Sequence, residues 1–221
     1  MTVSGITRRA TLALAAALVA IPCARAIPPD DTAGLPPDQL MQTVASNMLK
    51  ALDQKRADVR RDPKLAYPLV DQILLPHFDT QYAAQLILAQ NWRTATEDQR
   101  KRFVAALYDA LLKTYAGAIA DFTADRLKIL PLKLEAGATQ TIVRTEVRRD
   151  SGTVVPVDYR MRKTDAGWKV YDVIIEGISY VRNYREDFGA EVAQKGLDEV
   201  IARLEREGLH VDRAGKSSSG S

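Results

Sequence analysis

The spacing of apolar residues changes near residue 125, and this change limits the folds that the chain can adopt. Before it, apolar residues recur every three or four positions, as on a helix that buries one face. After it, they alternate with polar residues, as on a β-strand that buries one face. The sequence therefore predicts an α+β domain in which helices come first and a sheet follows.

Four helices are predicted in the first half. They cover residues 38–60, 63–76, 79–90 and 96–124. The fourth opens on a capping box, because the Thr96 hydroxyl can accept a hydrogen bond from the Gln99 backbone N–H and the Gln99 side chain can return one. Its apolar residues recur every four positions and form one stripe: Phe103, Leu107, Leu111, Tyr115 and Ile119.

The second half predicts a curved, four-stranded antiparallel sheet. The strands cover residues 127–134, 141–149, 154–162 and 168–176, and short turns separate the last three. Pro131 lacks a backbone N–H, which favours an edge position for the first strand. The fourth strand is apolar on both faces, so we expect it to be covered twice.

A final helical stretch is predicted from Ser179 to Gly208, with a break at Gly196. The helices are the elements available to cover the apolar face of the sheet. Periodicity alone cannot distinguish a solid core from a pocket wall between the two layers.

The N-terminus has the pattern of a signal peptide. Arg8 and Arg9 precede an apolar run at 12–21, and Ala24-Arg25-Ala26 provides a cleavage site. The run is too short to span a bilayer as a helix. Either the Sec or the twin-arginine route fits these residues, so the sequence predicts export to the periplasm by one of them.

These features divide the chain into four predicted segments. Residues 1–26 form the signal peptide, 27–37 a linker rich in proline and aspartate, 38–208 the folded domain, and 209–221 a disordered polar tail. Cys23 could mark a lipoprotein, but Pro22 before it fits that processing poorly, and loss with the signal peptide is favoured.

The charge and cysteine content of the exported chain exclude several classes of protein. Three of the 31 basic residues and no acid lie in 1–26, which leaves 28 basic residues against 28 acids. A neutral domain is not expected to bind nucleic acid. Without Cys23 no cysteine remains, which excludes disulfides and thiolate metal sites, and the sequence predicts no cofactor or metal.

Few residues are candidates for catalysis. Asp172 shares a face with Trp168, Val170 and Ile174 if the strand alternates regularly, and a carboxylate among apolar neighbours could act as a general base. The alternative, which we favour, is a carboxylate satisfied by backbone N–H groups or by an arginine. His77 has no nearby acid pair or second histidine with which to form a triad or metal site.

The chain resembles the MlaC family of periplasmic phospholipid carriers, also called the toluene-tolerance family. The matching residues run over roughly 38–206, and their order and spacing carry the resemblance. They are Leu75-Pro76-His77-Phe78-Asp79, Trp92 to Arg100 with Phe103 and Tyr115-Ala116, Trp168 to Ser179, Asn183-Tyr184-Arg185 with Phe188, and Lys195 to Asp198.

The resemblance implies a fold, a ligand and partners. The family fold is a curved sheet related to NTF2-like proteins, with acyl chains held between helices and sheet. The implied function is to shuttle phospholipids, without catalysis, between an outer-membrane lipoprotein–porin complex and an inner-membrane ABC transporter with an MCE-domain ring. A polycyclic, hopanoid-type lipid is an alternative ligand; an NTF2-like enzyme using Asp172 and a scaffold with a solid core are alternative functions.

The candidate pocket residues are apolar or aromatic side chains of the predicted helices and inner sheet face. They are Tyr82, Leu86, Phe103, Leu107, Leu111, Tyr115, Val143, Tyr159, Met161, Val170, Ile174 and Ile178.

Overall fold

The first half of the chain is helical, as its apolar repeat predicts. The computed structural model describes residues 32, 34–120, 122–123, 126–149 and 151–209, so the predicted signal peptide and nearly all of the predicted tail lie outside the described residues. The four longer helical elements before the sheet are α1 (Pro37–Arg61), α3 (Thr80–Leu88), α4 (Gln90–Thr94) and α5 (Glu97–Ala120).

The segment predicted as one helix over 63–76 is instead a series of short turns. Pro68 and Pro76 lack a backbone N–H, so a continuous α-helix cannot form across them. The segment consists of a 3₁₀ turn (Pro63–Ala66), one α-helical turn, α2 (Tyr67–Leu69), a π-helical turn (Val70–Leu74) and a second 3₁₀ turn (Leu75–His77).

Side chains cap the N-termini of α3 and α5. The Asp79 carboxylate accepts a hydrogen bond of 3.0 Å from the Tyr82 N–H and so begins α3. The predicted capping box of α5 is present: the Gln99 N–H donates to the Thr96 Oγ1 at 3.1 Å, and the Thr96 N–H donates to the Gln99 Oε1 at 2.9 Å. Ala89, with a φ of 49°, separates α3 from α4 within the single helix predicted over 79–90.

The second half forms an antiparallel sheet in which neighbours along the chain are neighbours in space. It has five strands, one more than predicted, because Ile178 and Ser179 follow a two-residue turn and pair with the end of the fourth strand. The first strand ends before Pro131 and is shorter than the predicted 127–134. The strands are β1 (Leu127–Ile129), β2 (Gln140–Arg148), β3 (Val154–Thr164), β4 (Gly167–Ile175) and β5 (Ile178–Ser179).

A β-bulge at Tyr171 changes which residues of β4 face inward. Met161 pairs with Val170 and Arg160 with Asp172, so Tyr171 has no partner on β3. Tyr159 then pairs with Val173, which places Val173 on the same face as Val170. The expectation that Asp172 shares a face with Val170 is therefore wrong, since the extra residue reverses the alternation.

The C-terminal stretch folds as two helices, α6 (Tyr180–Lys195) and α7 (Leu197–Glu207). The break falls at Gly196, as predicted, and its φ of 82° favours glycine. Arg203 of α7 donates two hydrogen bonds of 2.7 Å to the Glu191 carboxylate of α6. These bonds hold the pKa of Glu191 below its ordinary value and join the two helices.

The apolar interior consists of two clusters. The first joins α1 to the inner face of the sheet, and the second joins α3, α4, α5, α6 and α7. Among the described residues, no helix is both long and apolar enough to cross a bilayer. Buried members of the first cluster include Leu40, Val44, Met48, Leu52, Val143 and Met161, and of the second Ile87, Phe103, Phe188, Val200 and Ile201.

The turn between β4 and β5 generates a prediction for stability. Glu176 and Gly177 both have positive φ, at 51° and 83°, and glutamate pays a steric cost in this region that asparagine tolerates better. Glu176→Asn should stabilise the protein by about 1 kcal/mol and raise the melting temperature by about 2–4 °C, as measured by thermal unfolding. Glu176→Gln is the control, because it removes the exposed ion pair with Arg149 but keeps a residue unsuited to this φ. An equal gain in both variants would contradict a backbone origin.

Candidate functional site

A cavity of about 350 Å³ separates the two apolar clusters. Its volume lies within the range of small-molecule sites. One wall is α5, which turns seven side chains toward the cavity over four turns of helix. These are Val104, Leu107, Tyr108, Leu111, Leu112, Tyr115 and Ile119.

The remaining walls come from the sheet, the helices that flank it and the proline-rich turns. The lining is almost wholly hydrocarbon and aromatic ring, and none of the described lining residues is lysine, arginine or histidine. The sheet contributes Tyr159, Val170, Tyr171, Asp172, Val173 and Ile175; the turns and α3 contribute Val70, Leu74, Leu75, Phe78, Asp79, Thr80, Ala83 and Ile87; and α6 contributes Tyr180, Val181 and Tyr184.

Five of the twelve candidate pocket residues line this cavity. They come from the stripe of α5 and from the inner face of the sheet, the two surfaces that the sequence predicts to face each other. They are Leu107, Leu111, Tyr115, Tyr159 and Val170.

Three candidates lie in solid core instead of on the cavity wall. Val143 and Met161 face inward, but α1 covers that part of the sheet and leaves them fully buried in the first cluster. Phe103 begins the stripe of α5 and packs edge-to-face on Phe188, with ring centroids 5.5 Å apart. The stripe is therefore core at its N-terminal end and cavity wall further along.

The other four candidates point away from the cavity. The Tyr82 ring lies under the Arg162 guanidinium, with 4.1 Å between its centroid and Cζ, and Leu86 packs against the second cluster. The bulge turns Ile174 to the opposite face from Val170. Ile178 lies in the short β5 with 51% of its surface exposed.

Asp172 is held by hydrogen bonds and connects β4 to the start of α6. Its side chain is only 1% exposed. One carboxylate oxygen accepts from the Ser179 hydroxyl at 2.6 Å and the other from the Val181 N–H at 3.0 Å. Arg160 approaches at 3.5 Å. The satisfied carboxylate that we favour from the sequence is the arrangement observed, and both of its oxygens accept hydrogen bonds from the protein.

The second acid of the wall, Asp79, is also paired. Arg162 places two nitrogens 2.6 Å from its Oδ2, while Oδ1 caps α3. The Asp79 N–H donates to the Val170 carbonyl oxygen at 2.7 Å, which fixes α3 to the edge of β4. The cavity therefore carries no unpaired acid among its described lining residues.

Three tyrosines from two helices meet at one end of the cavity. The hydroxyls of Tyr115 and Tyr184 are 3.5 Å apart, and the Tyr180 ring packs edge-to-face on both, with centroids 6.1 Å and 5.8 Å away. Burial, followed by a hydrogen bond to Tyr115, raises the pKa of Tyr180 to about 12. These phenols therefore stay neutral at physiological pH.

Sequence patterns missed part of the cavity for two physical reasons. Val173 and Ile175 face it because of the bulge, which has no clear sequence signal here. Val70 and Leu74 belong to the irregular turns. Tyr180 and Tyr184 could have been found, since aromatic residues four apart on a helix share one face.

A model of the MlaC protein family matches residues 42–206, which is more than half of the chain. The chain belongs to the MlaC family. The intermembrane phospholipid transport system binding protein MlaC of Haemophilus influenzae is 23% identical over 175 residues, which cover 77% of this chain and 81% of that protein. The toluene tolerance protein ttg2D of Pseudomonas putida is 26% identical over 194 residues, covering 87% and 86%.

A solved structure of a phospholipid-binding protein supports the fold assignment. The phospholipid-binding protein of Ralstonia solanacearum, solved in complex with a phospholipid, superimposes with a TM-score of 0.66 and 29% sequence identity. The match covers 74% of this chain and 96% of that one. The family resemblance and the α+β fold predicted from the sequence are both confirmed.

The environment of Asp172 predicts a stability effect in this MlaC-family chain. Asp172→Asn removes the charge that strengthens three hydrogen bonds and should destabilise the fold by about 1–3 kcal/mol. Thermal unfolding should show a fall of several degrees. Asp158→Asn is the control, because that carboxylate makes no hydrogen bond or ion pair with the described residues; its effect should stay within about 0.5 kcal/mol. An unchanged melting temperature in Asp172→Asn would show that the bonds contribute little.

Proposed function

We propose that this protein is a periplasmic carrier that holds phospholipid acyl chains in the cavity between α5 and the sheet. The observation that carries the proposal is the lining of that cavity, which is almost entirely apolar and has its acids paired. The MlaC family assignment and a relative solved with a phospholipid support the choice of ligand.

The energetics of such a carrier agree with this lining. Each methylene moved from water into an apolar site gains about 0.8 kcal/mol, so long acyl chains gain a large free energy relative to water. A bilayer offers nearly the same gain, which makes transfer between membrane and cavity close to neutral. The function of the protein is then to lower the barrier to crossing water, and no acid–base group is required.

The alternative functions have less support. An NTF2-like enzyme would need Asp172 to accept a proton, but both carboxylate oxygens already accept hydrogen bonds. A scaffold with a solid core would leave a cavity of about 350 Å³ unexplained. A polycyclic lipid remains a second possible ligand by chemistry, and analysis of bound lipid separates it from a phospholipid.

The location and partners follow from the same proposal. Export by the signal peptide at 1–26 would place the chain between the two membranes. There it would receive or deliver lipid at an inner-membrane ABC transporter with an MCE-domain ring and at an outer-membrane lipoprotein–porin complex. The near-neutral charge of the exported chain favours local docking surfaces over general attraction to anionic membranes.

The wall assignment predicts the effect of filling or charging the cavity. Leu111→Glu places a carboxylate among apolar side chains, and Leu111→Trp fills the space without a charge. Both should lower the lipid-to-protein ratio of the purified protein about tenfold or more, as measured by mass spectrometry of an organic extract. Leu65→Glu is the control, since Leu65 is 45% exposed and away from the wall; its lipid content should match the parent.

The outcomes of this experiment separate the functions. Diacyl phospholipid in the parent and its loss in both Leu111 variants support the carrier. If the parent instead contains a polycyclic lipid, the cavity is still the lipid-binding site but its ligand is not a phospholipid. A lipid-free parent that does not take up added phospholipid would overturn the proposed function.

The carrier proposal also predicts transfer between membranes. The purified protein, freed of its lipid, should speed the movement of a fluorescent phospholipid from donor to acceptor vesicles in proportion to its concentration. Leu111→Trp should transfer at a much lower rate because its cavity is filled. If the folded parent binds phospholipid but transfers it no faster than vesicles alone, the protein stores lipid and does not carry it between membranes.

A further inference from the structure

The Tyr159 hydroxyl lacks a hydrogen-bond partner among the residues that the structure describes. The ring lines the cavity, so the surface that it retains faces the cavity. Burial alone raises the pKa of Tyr159 to about 12, with no contribution from a charged or hydrogen-bonding neighbour. The side chain is half-buried, and a phenol in such a position usually has a hydrogen-bond partner from protein, water or ligand.

The other cavity phenols differ from Tyr159 in this respect. Tyr108 donates to the Asp71 carboxylate, and the Tyr115 and Tyr184 hydroxyls approach each other. Tyr171 reaches the Gln140 side chain at 3.4 Å. A hydrogen bond to Tyr115 contributes to the raised pKa of Tyr180. Among the described cavity tyrosines, Tyr159 therefore differs in having no such partner.

Its position on the sheet makes bound water a poor partner. Tyr159 lies on β3, the middle strand of the five, and pairs with Val143 on one side and Val173 on the other. A trapped water needs several polar partners, and these neighbours have apolar side chains. A ligand in the cavity can supply the partner that the strand neighbours lack.

The charge of the wall limits which ligand atom this can be. No lysine, arginine or histidine is among the described lining residues, so an anionic phosphate inside the cavity would be unpaired and costly. A neutral carbonyl oxygen accepts a hydrogen bond without bringing a charge into the site. In a diacyl lipid, the ester groups that join the chains to glycerol carry such oxygens.

We propose that Tyr159 donates a hydrogen bond to an ester carbonyl oxygen of the bound lipid, and that the cavity thereby prefers ester-linked lipids to ether-linked ones. This inference rests on the proposed function. It adds a basis for selection that hydrophobic burial cannot provide, because ester- and ether-linked lipids with the same chains bury nearly the same apolar surface.

The test compares two phosphatidylcholines that differ only in linkage, one diacyl and one dialkyl, with equal chain lengths. Binding to the lipid-free full-length exported protein is measured by competition against a fluorescent phospholipid. The parent should bind the diacyl lipid about three- to tenfold more tightly, the effect of one neutral hydrogen bond. Tyr159→Phe should reduce this ratio to about one while still binding both lipids.

Tyr108→Phe is the matched control, because it also removes a cavity phenol but one whose hydroxyl already donates to Asp71. It should keep the parent's preference for the ester, whatever its effect on overall affinity. The lipid-free Tyr159→Phe variant should melt no lower than the parent, since it loses an unpartnered hydroxyl. A lower melting temperature would show that the hydroxyl has a structural partner and would overturn the proposal.

Each binding outcome has a distinct meaning. Equal binding of the two lipids by the parent overturns the role of Tyr159 and leaves the proposed carrier intact. A preference for the diacyl lipid that survives in Tyr159→Phe also overturns the role of Tyr159, because another group must then recognise the ester. Failure of the parent to bind either lipid contradicts the proposed function itself.

Discussion

The bulge at Tyr171 is the local feature on which the cavity depends. It allows Val170 and Val173 to face the same side of the sheet, which a regular strand would forbid. It also turns Asp172 toward the start of α6, where the carboxylate binds the Ser179 hydroxyl and the Val181 N–H. One extra residue thus sets both the apolar wall on β4 and the position of the helix that carries Tyr180 and Tyr184.

The cavity exists because two apolar clusters meet without merging. The long α1 covers the part of the sheet that contains Val143 and Met161, while α5 faces the part that contains Tyr159 and Val170. An unfilled apolar space forfeits dispersion contacts on its walls, and the cost grows with its volume. A protein that kept such a space without use would be destabilised, so a ligand that fills it contributes to the stability of the loaded form.

Regular segments were predictable from the sequence, and irregular ones were not. The apolar repeat located α5 and the alternation located β2 and β3, because both report one buried face, whereas β4 was located by a run that is apolar on both faces. The apolar stripe of α5 could not show that Phe103 lies in the core and Leu111 on the cavity wall. That difference depends on which residues of other elements pack opposite each side chain. Ile174 was misplaced because parity assumes an unbroken strand, and Ile178 because the hairpin after β4 was not expected. Val70 was missed because prolines break the segment that carries it.

If the protein is the proposed carrier, the polar groups of its cavity would allow it to select a ligand without binding it too tightly. Paired charges such as Asp79 with Arg162 stay directed at the protein and leave the ligand no ionic contact. An ionic contact deep in an apolar site would be strong, and the lipid would leave slowly. In the proposed carrier, a neutral phenol such as Tyr159 would add only a modest hydrogen bond, which the ester would regain from interfacial water on return to a membrane. Selection and release are then compatible, because the free energy that distinguishes ligands is small compared with the apolar gain that cavity and bilayer share.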